Sequence, residues 1–257
     1  MTDLKALLFD VDGTLADTER DGHRVAFNRA FVDAGLDWDW TVELYGELLE
    51  VTGGKERIRF YLEKFNREFE KPADFDGFVA ALHKAKTAHY TGMLGEGAIP
   101  LRCGVLRLLE EAKASGMRLA VVTTTTPENV TALLNNTLGE KGTEWFEVIA
   151  AGDIVPAKKP APDIYIWAMQ QMGLSPDQCL ALEDSENGVK SVVSAGIKSL
   201  VVTTNDYTKA HDFSGATLVV DQFGDAGDPA HKISGDVELD GLVDLALLNK
   251  VHHAAND

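Results

Sequence analysis

The sequence predicts an α/β fold: a parallel sheet with helices on both faces, interrupted after its first strand by a segment that is helical throughout. Three observations carry this. After Pro100, short apolar runs alternate with helical stretches, the pattern of a parallel sheet covered on both sides. A buried-strand run, Leu4 to Val11, stands well before them. Between the two, from Glu19 to about Gly92, apolar residues recur at helical spacing and no strand-like run intervenes.

Leu4 to Val11 reads as a strand running into acids. The helical segment then shows apolar faces at Ala26, Phe27, Ala30, Phe31 and Ala34, at Leu44, Leu48 and Leu49, at Ile58, Tyr61, Leu62 and Phe65, and at Phe78, Ala81, Leu82 and Ala85. Trp38 and Trp40, at i and i+2, do not share a helix face and are expected over this segment's own core or its rim. Beyond Pro100, helices are expected at 105–114, 127–138, 163–172 and 187–195. Proline near the start of the second costs little, since that N–H has no helical partner; Gly196 after the last suits a C-cap. Strands are expected at 118–123, 146–150, 179–182, 199–203 and 217–220. Gly224 to Asp240 reads as a surface loop and Leu242 to Val251 as a final helix. The expected division is a core, residues 1–16 and 93–257, and a helical cap, residues 17–92.

The 257 residues suit one or two domains, and 45% hydrophobic with 25% charged residues is enough apolar material for a sizeable core. The net charge of −17 argues against nucleic acid or an anionic membrane as partner. It also repels phosphorylated metabolites at long range, so a phosphate ester substrate would need local cations and a metal. No run of eighteen apolar residues suggests a membrane span, and the first residues lack a secretory pattern. Cys103 and Cys179 lie far apart, outside any CxxC spacing, and are expected as free thiols. A monomer is expected in the cytoplasm, or in a reducing compartment such as a plastid stroma where a leader has been removed.

Four patterns at strand ends carry the chemistry. In Asp10-Val11-Asp12-Gly13-Thr14, two carboxylates two residues apart can face one crevice, one attacking phosphorus and binding metal, the other handling protons. A bare pair also describes a solvated acidic turn; the full string Phe-Asp-Val-Asp-Gly-Thr-Leu weighs against that. Thr123 to Thr126 offers a hydroxyl and backbone N–H groups to a phosphate oxygen, or simply caps the following helix. In Lys158-Lys159-Pro160, proline restricts Lys159 to extended conformations and helps aim its ammonium, although paired lysines are often surface residues. Glu183-Asp184, ending an apolar strand, offers hard oxygen ligands for Mg²⁺, or caps the next helix. Together they supply a nucleophile, an acid/base, a hydroxyl, a cation and metal ligands, which is what phosphoryl transfer needs.

These residues, Asp10 to Thr14, Thr123, Lys159-Pro160 and Glu183-Asp184, resemble the four motifs of the haloacid dehalogenase superfamily over most of the chain, to about Phe223. The resemblance implies a Rossmann-like core. It implies an aspartyl-phosphate on Asp10, Asp12 as general acid/base, and the transferring phosphate bound by Thr123 and Lys159. It further implies Mg²⁺ held by Asp10, the Asp12 carbonyl and Asp184, with Glu183 a direct or water-mediated ligand. An insert after the first strand resembles the helical-cap subgroup that includes β-phosphoglucomutase and phosphoglycolate phosphatase. Finer strings are similar to CbbY-type phosphatases: Asp10 to Glu19, Thr52 to Arg57, His83 to Thr87, Thr123 to Thr126, and Ala150 to Asp153. That resemblance implies a sugar bisphosphate, xylulose 1,5-bisphosphate, as substrate. A phosphosugar mutase is the alternative enzyme; a binding-only regulator is disfavoured by the complete set of catalytic residue types.

Selectivity is expected from the cap. The glycines of Thr52-Gly53-Gly54-Lys55-Glu56-Arg57 expose N–H groups, and Lys55 and Arg57 add charge, a plausible socket for a distal phosphate. Lys86 is placed beside it, Glu19 is assigned to sugar hydroxyls, and Thr124 and Thr125 are added to the substrate's surroundings. Each charged residue also reads as a solvated one. Hinges are expected near 16–18 and 92–97.

Overall fold

The computed structural model describes residues 2–256. Seven strands form one sheet in the order β3-β2-β1-β4-β5-β6-β7. They are β1 (Ala6–Phe9), β2 (Arg118–Thr123), β3 (Val148–Ala151), β4 (Cys179–Glu183), β5 (Ser199–Thr203), β6 (Leu218–Val220) and β7 (Lys232–Gly235). All neighbours are parallel except β6 and β7.

The alternation of side chains along each strand explains the layers. Leu7 and Phe9 of β1, with Leu180 and Leu182 of β4, face one core. Over it lie α5 (Val105–Ala114), α6 (Pro127–Leu138) and α9 (Leu245–Asn256). Ala6, Leu8, Cys179 and Ala181 face the other core, covered by α7 (Asp163–Met172) and α8 (Glu186–Ser194).

The segment after β1 begins with a π-turn, Glu19–His23, and continues as α1 (Arg24–Asp33), α2 (Val42–Leu48), α3 (Gly54–Lys64) and α4 (Phe75–Gly95). It has its own aromatic core, in which Phe27, Phe31, Trp38, Trp40, Tyr45 and Tyr61 are buried together. Trp38 meets Phe31 edge-on at 5.2 Å and Trp40 meets Phe31 at 4.9 Å, so the two tryptophans pack inside this core. Residue 93, where the sequence reading returns the chain to the core, lies inside α4. The last turns of that helix carry Tyr90 and Leu94 into the sheet's own cluster.

Several expected bounds shift. β1 is shorter than the apolar run, because Leu4 and Val11 are buried without being paired in the ladder. The third strand starts at Val148 rather than Phe146. Gly224 to Asp240 is not wholly loop: it contains β7, whose four residues are all exposed and so leave no alternating pattern to read. The final helix starts at Leu245 because Asp244 caps it, its Oδ1 accepting from Leu247 N at 2.7 Å. Cys179 is buried and Cys103 partly so, both free. Among the described residues no helix is long and apolar enough to cross a membrane.

Candidate active site

Strand order sets the site. β1 lies between β2 and β4, with Phe9 paired to Val121 and Leu182, so the residues after all three strands emerge side by side. Asp10 N donates to Leu182 O at 3.0 Å, holding the Asp10 loop against β4. Gly13 turns the chain away at φ +87°; any side chain there would strike the Asp184 carboxylate and the Asn205 amide.

Asp10, Lys159, Glu183 and Asp184 form a buried cluster. Lys159 Nζ donates to Asp10 Oδ1 at 2.7 Å, to Glu183 Oε1 at 2.6 Å and to Val122 O at 2.8 Å. The Tyr165 hydroxyl also donates to Glu183 Oε1, at 2.5 Å, and Asn205 Nδ2 donates to Asp184 Oδ2 at 2.7 Å. Burial pushes the Asp10 carboxyl up to about 8: Lys159 opposes the rise, and the Glu183 charge adds to it. Burial, with Asp10 and Glu183 beside it, also raises Asp184 well above the usual range.

Carboxylate oxygens of Asp10, Glu183 and Asp184 lie within 4.8 Å of one another. Lys159 bonds two of these three buried acids, Asp10 and Glu183, and Asp184 has the neutral Asn205 amide, so the cluster is short of positive charge. Hard oxygen donors at this spacing fit Mg²⁺. Glu183 is the least free of the three, since one of its oxygens already serves Lys159 and Tyr165.

Asp12 is held from the cap side. The Thr18 hydroxyl donates to Asp12 Oδ1, and His23 Nε2 lies 2.8 Å from the same oxygen. Lys86 Nζ lies 2.7 Å from His23 Nδ1, so an ammonium donating there leaves the ring proton on Nε2, facing Asp12. Burial raises the Asp12 carboxyl, but His23 and Thr18 outweigh it and bring it down to about 2. Burial pulls Lys86 down to about 8 against the attraction of Asp12 and Glu19.

Two adjoining chambers open onto these groups. One, about 440 Å³, holds Asp10, Thr123, Lys159, Asp184 and Thr52 on its wall. The other, about 430 Å³, holds Gly53, Gly54, Lys55, Lys86 and Thr125. Asp12, Glu19, Arg57 and Thr124 border both. Thr52 and Gly53, neighbours in sequence, thus face different chambers.

The proposed cap cations differ in their commitments. Arg57 is buried; Nη1 donates to the Tyr45 hydroxyl at 2.7 Å and lies 3.5 Å from Glu19 Oε2, while Nε has no partner among the described residues. Tyr45 in turn donates to Glu19 at 2.5 Å. Lys55 is more exposed and bonds Asp153 of the core at 2.7 Å. Lys158 meets the other oxygen of Asp153 at 3.0 Å and Glu56 at 3.4 Å. Four charges of alternating sign therefore cross the cleft. Thr123 is buried, its hydroxyl accepting from Thr125 N at 3.3 Å, and Asn129 Nδ2 donates to the Thr125 hydroxyl at 2.9 Å.

Thr18, His23, Tyr45, Tyr165 and Asn205 escaped the sequence reading. Thr18 lies within the Asp10 to Glu19 string without a chemistry of its own to mark it, and the other four reach the site as single side chains from separate helices and loops.

The model of the family described as haloacid dehalogenase-like hydrolase matches residues 4–196. Protein CbbY of Rhodobacter capsulatus is 50% identical over 214 residues, 83% of this chain and 91% of its own. A plasmid-borne Protein CbbY of Cupriavidus necator is 42% identical and matches over 97% of each chain. The crystal structure of a CbbY variant from Rhodobacter sphaeroides in complex with xylulose-(1,5)bisphosphate superposes with a TM-score of 0.81. It is 42% identical, over 96% of this chain and 99% of that one.

Proposed function

Since the chain belongs to the haloacid dehalogenase-like hydrolases, we propose that it is a Mg²⁺-dependent phosphatase acting on a small sugar bisphosphate, xylulose 1,5-bisphosphate. The observation that carries this is the buried cluster in which Lys159 bonds both Asp10 and Glu183 beside Asp184, at the carboxyl edge of the sheet. The choice of sugar is supported by the ligand of the R. sphaeroides relative and by a second, cation-lined chamber next to the first.

Asp10 attacks phosphorus and becomes an aspartyl-phosphate, while Lys159 and Thr123 hold the transferring phosphate oxygens. Asp10, the Asp12 carbonyl and Asp184 would hold the metal, with Glu183 behind them; when bound, it neutralises charge on the nucleophile and the phosphate oxygens. Asp12 gives a proton to the leaving sugar oxygen, then takes one from the water that attacks the aspartyl-phosphate. His23 and Thr18 occupy its Oδ1, which leaves Oδ2 for this exchange. The negative charge of an incoming phosphate raises the proton affinity of Asp12, which favours its taking up from solvent the proton it delivers in the first half. Glu19 orients sugar hydroxyls. Gly53, Gly54, Lys55, Arg57 and Lys86 form the distal socket, with Thr52, Thr124 and Thr125 around it. We place the cap at residues 17–92, hinged near 16–18 and 92–97, and the enzyme as a monomer in a reducing compartment.

A phosphate-release screen tests the whole reading. With Mg²⁺, xylulose 1,5-bisphosphate should outperform ribulose bisphosphate, phosphoglycolate and hexose phosphates. Isomerised product without released phosphate would instead make the enzyme a mutase.

Two further outcomes are expected. Mg²⁺ at about 100 times its Kd should add about 2.7 kcal/mol of stability, a rise of roughly 5–10 °C in Tm over the chelated protein. Thermal melts should show it, and Asp184→Ala should remove the response. For the socket, combining Lys55→Ala with Arg57→Ala should cost bisphosphate hydrolysis roughly 10–100-fold more kcat/KM than aryl phosphate hydrolysis. Equal losses on the two substrates would dismiss it.

A further inference from the structure

Arg102 sits where the chain returns from the cap to the core, and its guanidinium is tied to four groups. Nη1 donates to the Gly13 carbonyl and lies 3.2 Å from Asp17 Oδ1. Nη2 donates to Thr204 O at 2.7 Å and to Asp221 O at 2.9 Å. The side chain is only 8% exposed.

Three of these partners lead to the active site or to the cap, while Asp221, directly after β6, ties the guanidinium to the sheet. Gly13 follows Asp12 and completes the turn after Asp10. Thr204 precedes Asn205, whose amide holds Asp184 Oδ2. Gly13 and Asp184 are in contact across this gap, since a side chain at 13 would overlap the carboxylate. Asp17 belongs to the outgoing connection to the cap. The two connections are themselves joined, Arg102 N donating to Leu15 O at 2.9 Å and Ala16 bridging Leu101. The guanidinium is committed to Gly13, Asp17, Thr204 and Asp221, and the hollow of about 360 Å³ that it lines adjoins the first chamber through Glu19, Asn205 and Tyr207 but includes none of Asp10, Lys159 and Asp184. Arg102 therefore acts through other residues and not on substrate.

We propose that Arg102 is a positioning residue that fixes the Asp12–Gly13 turn against the Asn205–Asp184 contact and links both, through Asp17, to the paired cap connections. The planar fork of donors is what the task requires: a lysine ammonium is a point charge that cannot reach three carbonyls in this arrangement. The inference rests on the metal-dependent phosphatase reading above, and the test separates the two.

Arg102→Lys and Arg102→Gln are compared with Asp17→Asn and wild type, well below each protein's Tm. Mg²⁺ affinity is measured by calorimetry without substrate, and kcat and KM with an aryl phosphate. Both Arg102 variants should bind Mg²⁺ roughly 10–100-fold more weakly and lose kcat by a similar factor, with KM little changed. Asp17→Asn should keep wild-type Mg²⁺ affinity. Arg102→Lys retains the buried charge and decides the matter should the neutral variant not fold. Folded Arg102 variants with wild-type Mg²⁺ affinity and kcat would overturn the proposal and reduce Arg102 to a stabilising contact. A wild-type protein that hydrolyses no phosphate ester, with Mg²⁺ binding still weakened in the variants, would sink the phosphatase reading and leave the positioning role standing.

Discussion

Asp10→Asn should fold, bind substrate and release phosphate at least about 10⁴-fold more slowly than wild type. The amide is a poor nucleophile and cannot form the acyl phosphate on which hydrolysis depends. The fold should survive because burial already disfavours the charged form of Asp10, and a neutral amide of the same shape leaves Lys159 two other partners. Asp10 is one of three buried carboxylates, and burial with the Glu183 charge already raises it to about 8. Lys159 would still have Glu183 at 2.6 Å and Val122 O at 2.8 Å. Phosphate release over hours, rapid-quench labelling for a phosphoenzyme and a thermal melt check the three parts. Near-normal turnover in a folded variant would defeat Asp10 as nucleophile.

Lys159→Met should be costly in both stability and rate. Removing one partner of a buried ion pair leaves its acids uncompensated, a loss of about 3–5 kcal/mol. Here Asp10 and Glu183 lose the same ammonium. Burial works against the Lys159 charge, but Asp10 and Glu183 outweigh it and raise the group above the usual lysine range. A base raised on folding contributes fully below its unfolded pKa, so the stabilisation is intact at neutral pH and fades only in strong alkali. Urea unfolding of the chelated proteins at pH 7 should show the difference. Turnover should fall by about 10²–10³-fold, the scale of losing one donor to a developing charge. A variant as stable as wild type would mean that the cluster does not depend on this lysine.

The fold was legible wherever burial writes a period into the sequence. β2, β5, α5, α6 and α7 have the bounds their apolar spacing suggests, because each has one face or both against a core. β7 was not legible: an exposed edge strand pairs through its backbone and needs no apolar side chain. The site divides the same way. Asp10, Asp12, Lys159, Glu183 and Asp184 stand in compact strings at strand ends. His23 and Arg102 act over distances of 11 and 89 residues along the chain, and Lys86, legible as a charge, meets His23 from 63 residues away; no local pattern marks such pairings. Lys55 was legible as a charge but not as one already paired with Asp153, which lies 98 residues away.

The strand order has a consequence for how the protein is made. β1 lies inside the sheet between β2 and β4, yet both partners are distant in sequence: Ala6 pairs with Arg118 on one side and Cys179 on the other. At ribosomal speeds of about 5–20 residues per second, a chain roughly 170 residues longer takes on the order of ten to thirty seconds to appear. Until β2 appears Leu7, Leu8 and Phe9 have no strand to pair with, and until β4 appears one side of β1 stays open, while the helices that follow can already gather around Phe27, Phe31 and Trp40. The strand that presents the nucleophile thus leaves the ribosome before its sheet partners and is sealed late. A nascent chain of this topology is exposed to aggregation at the same segment that later bears its chemistry, and holdase chaperones would find their target there.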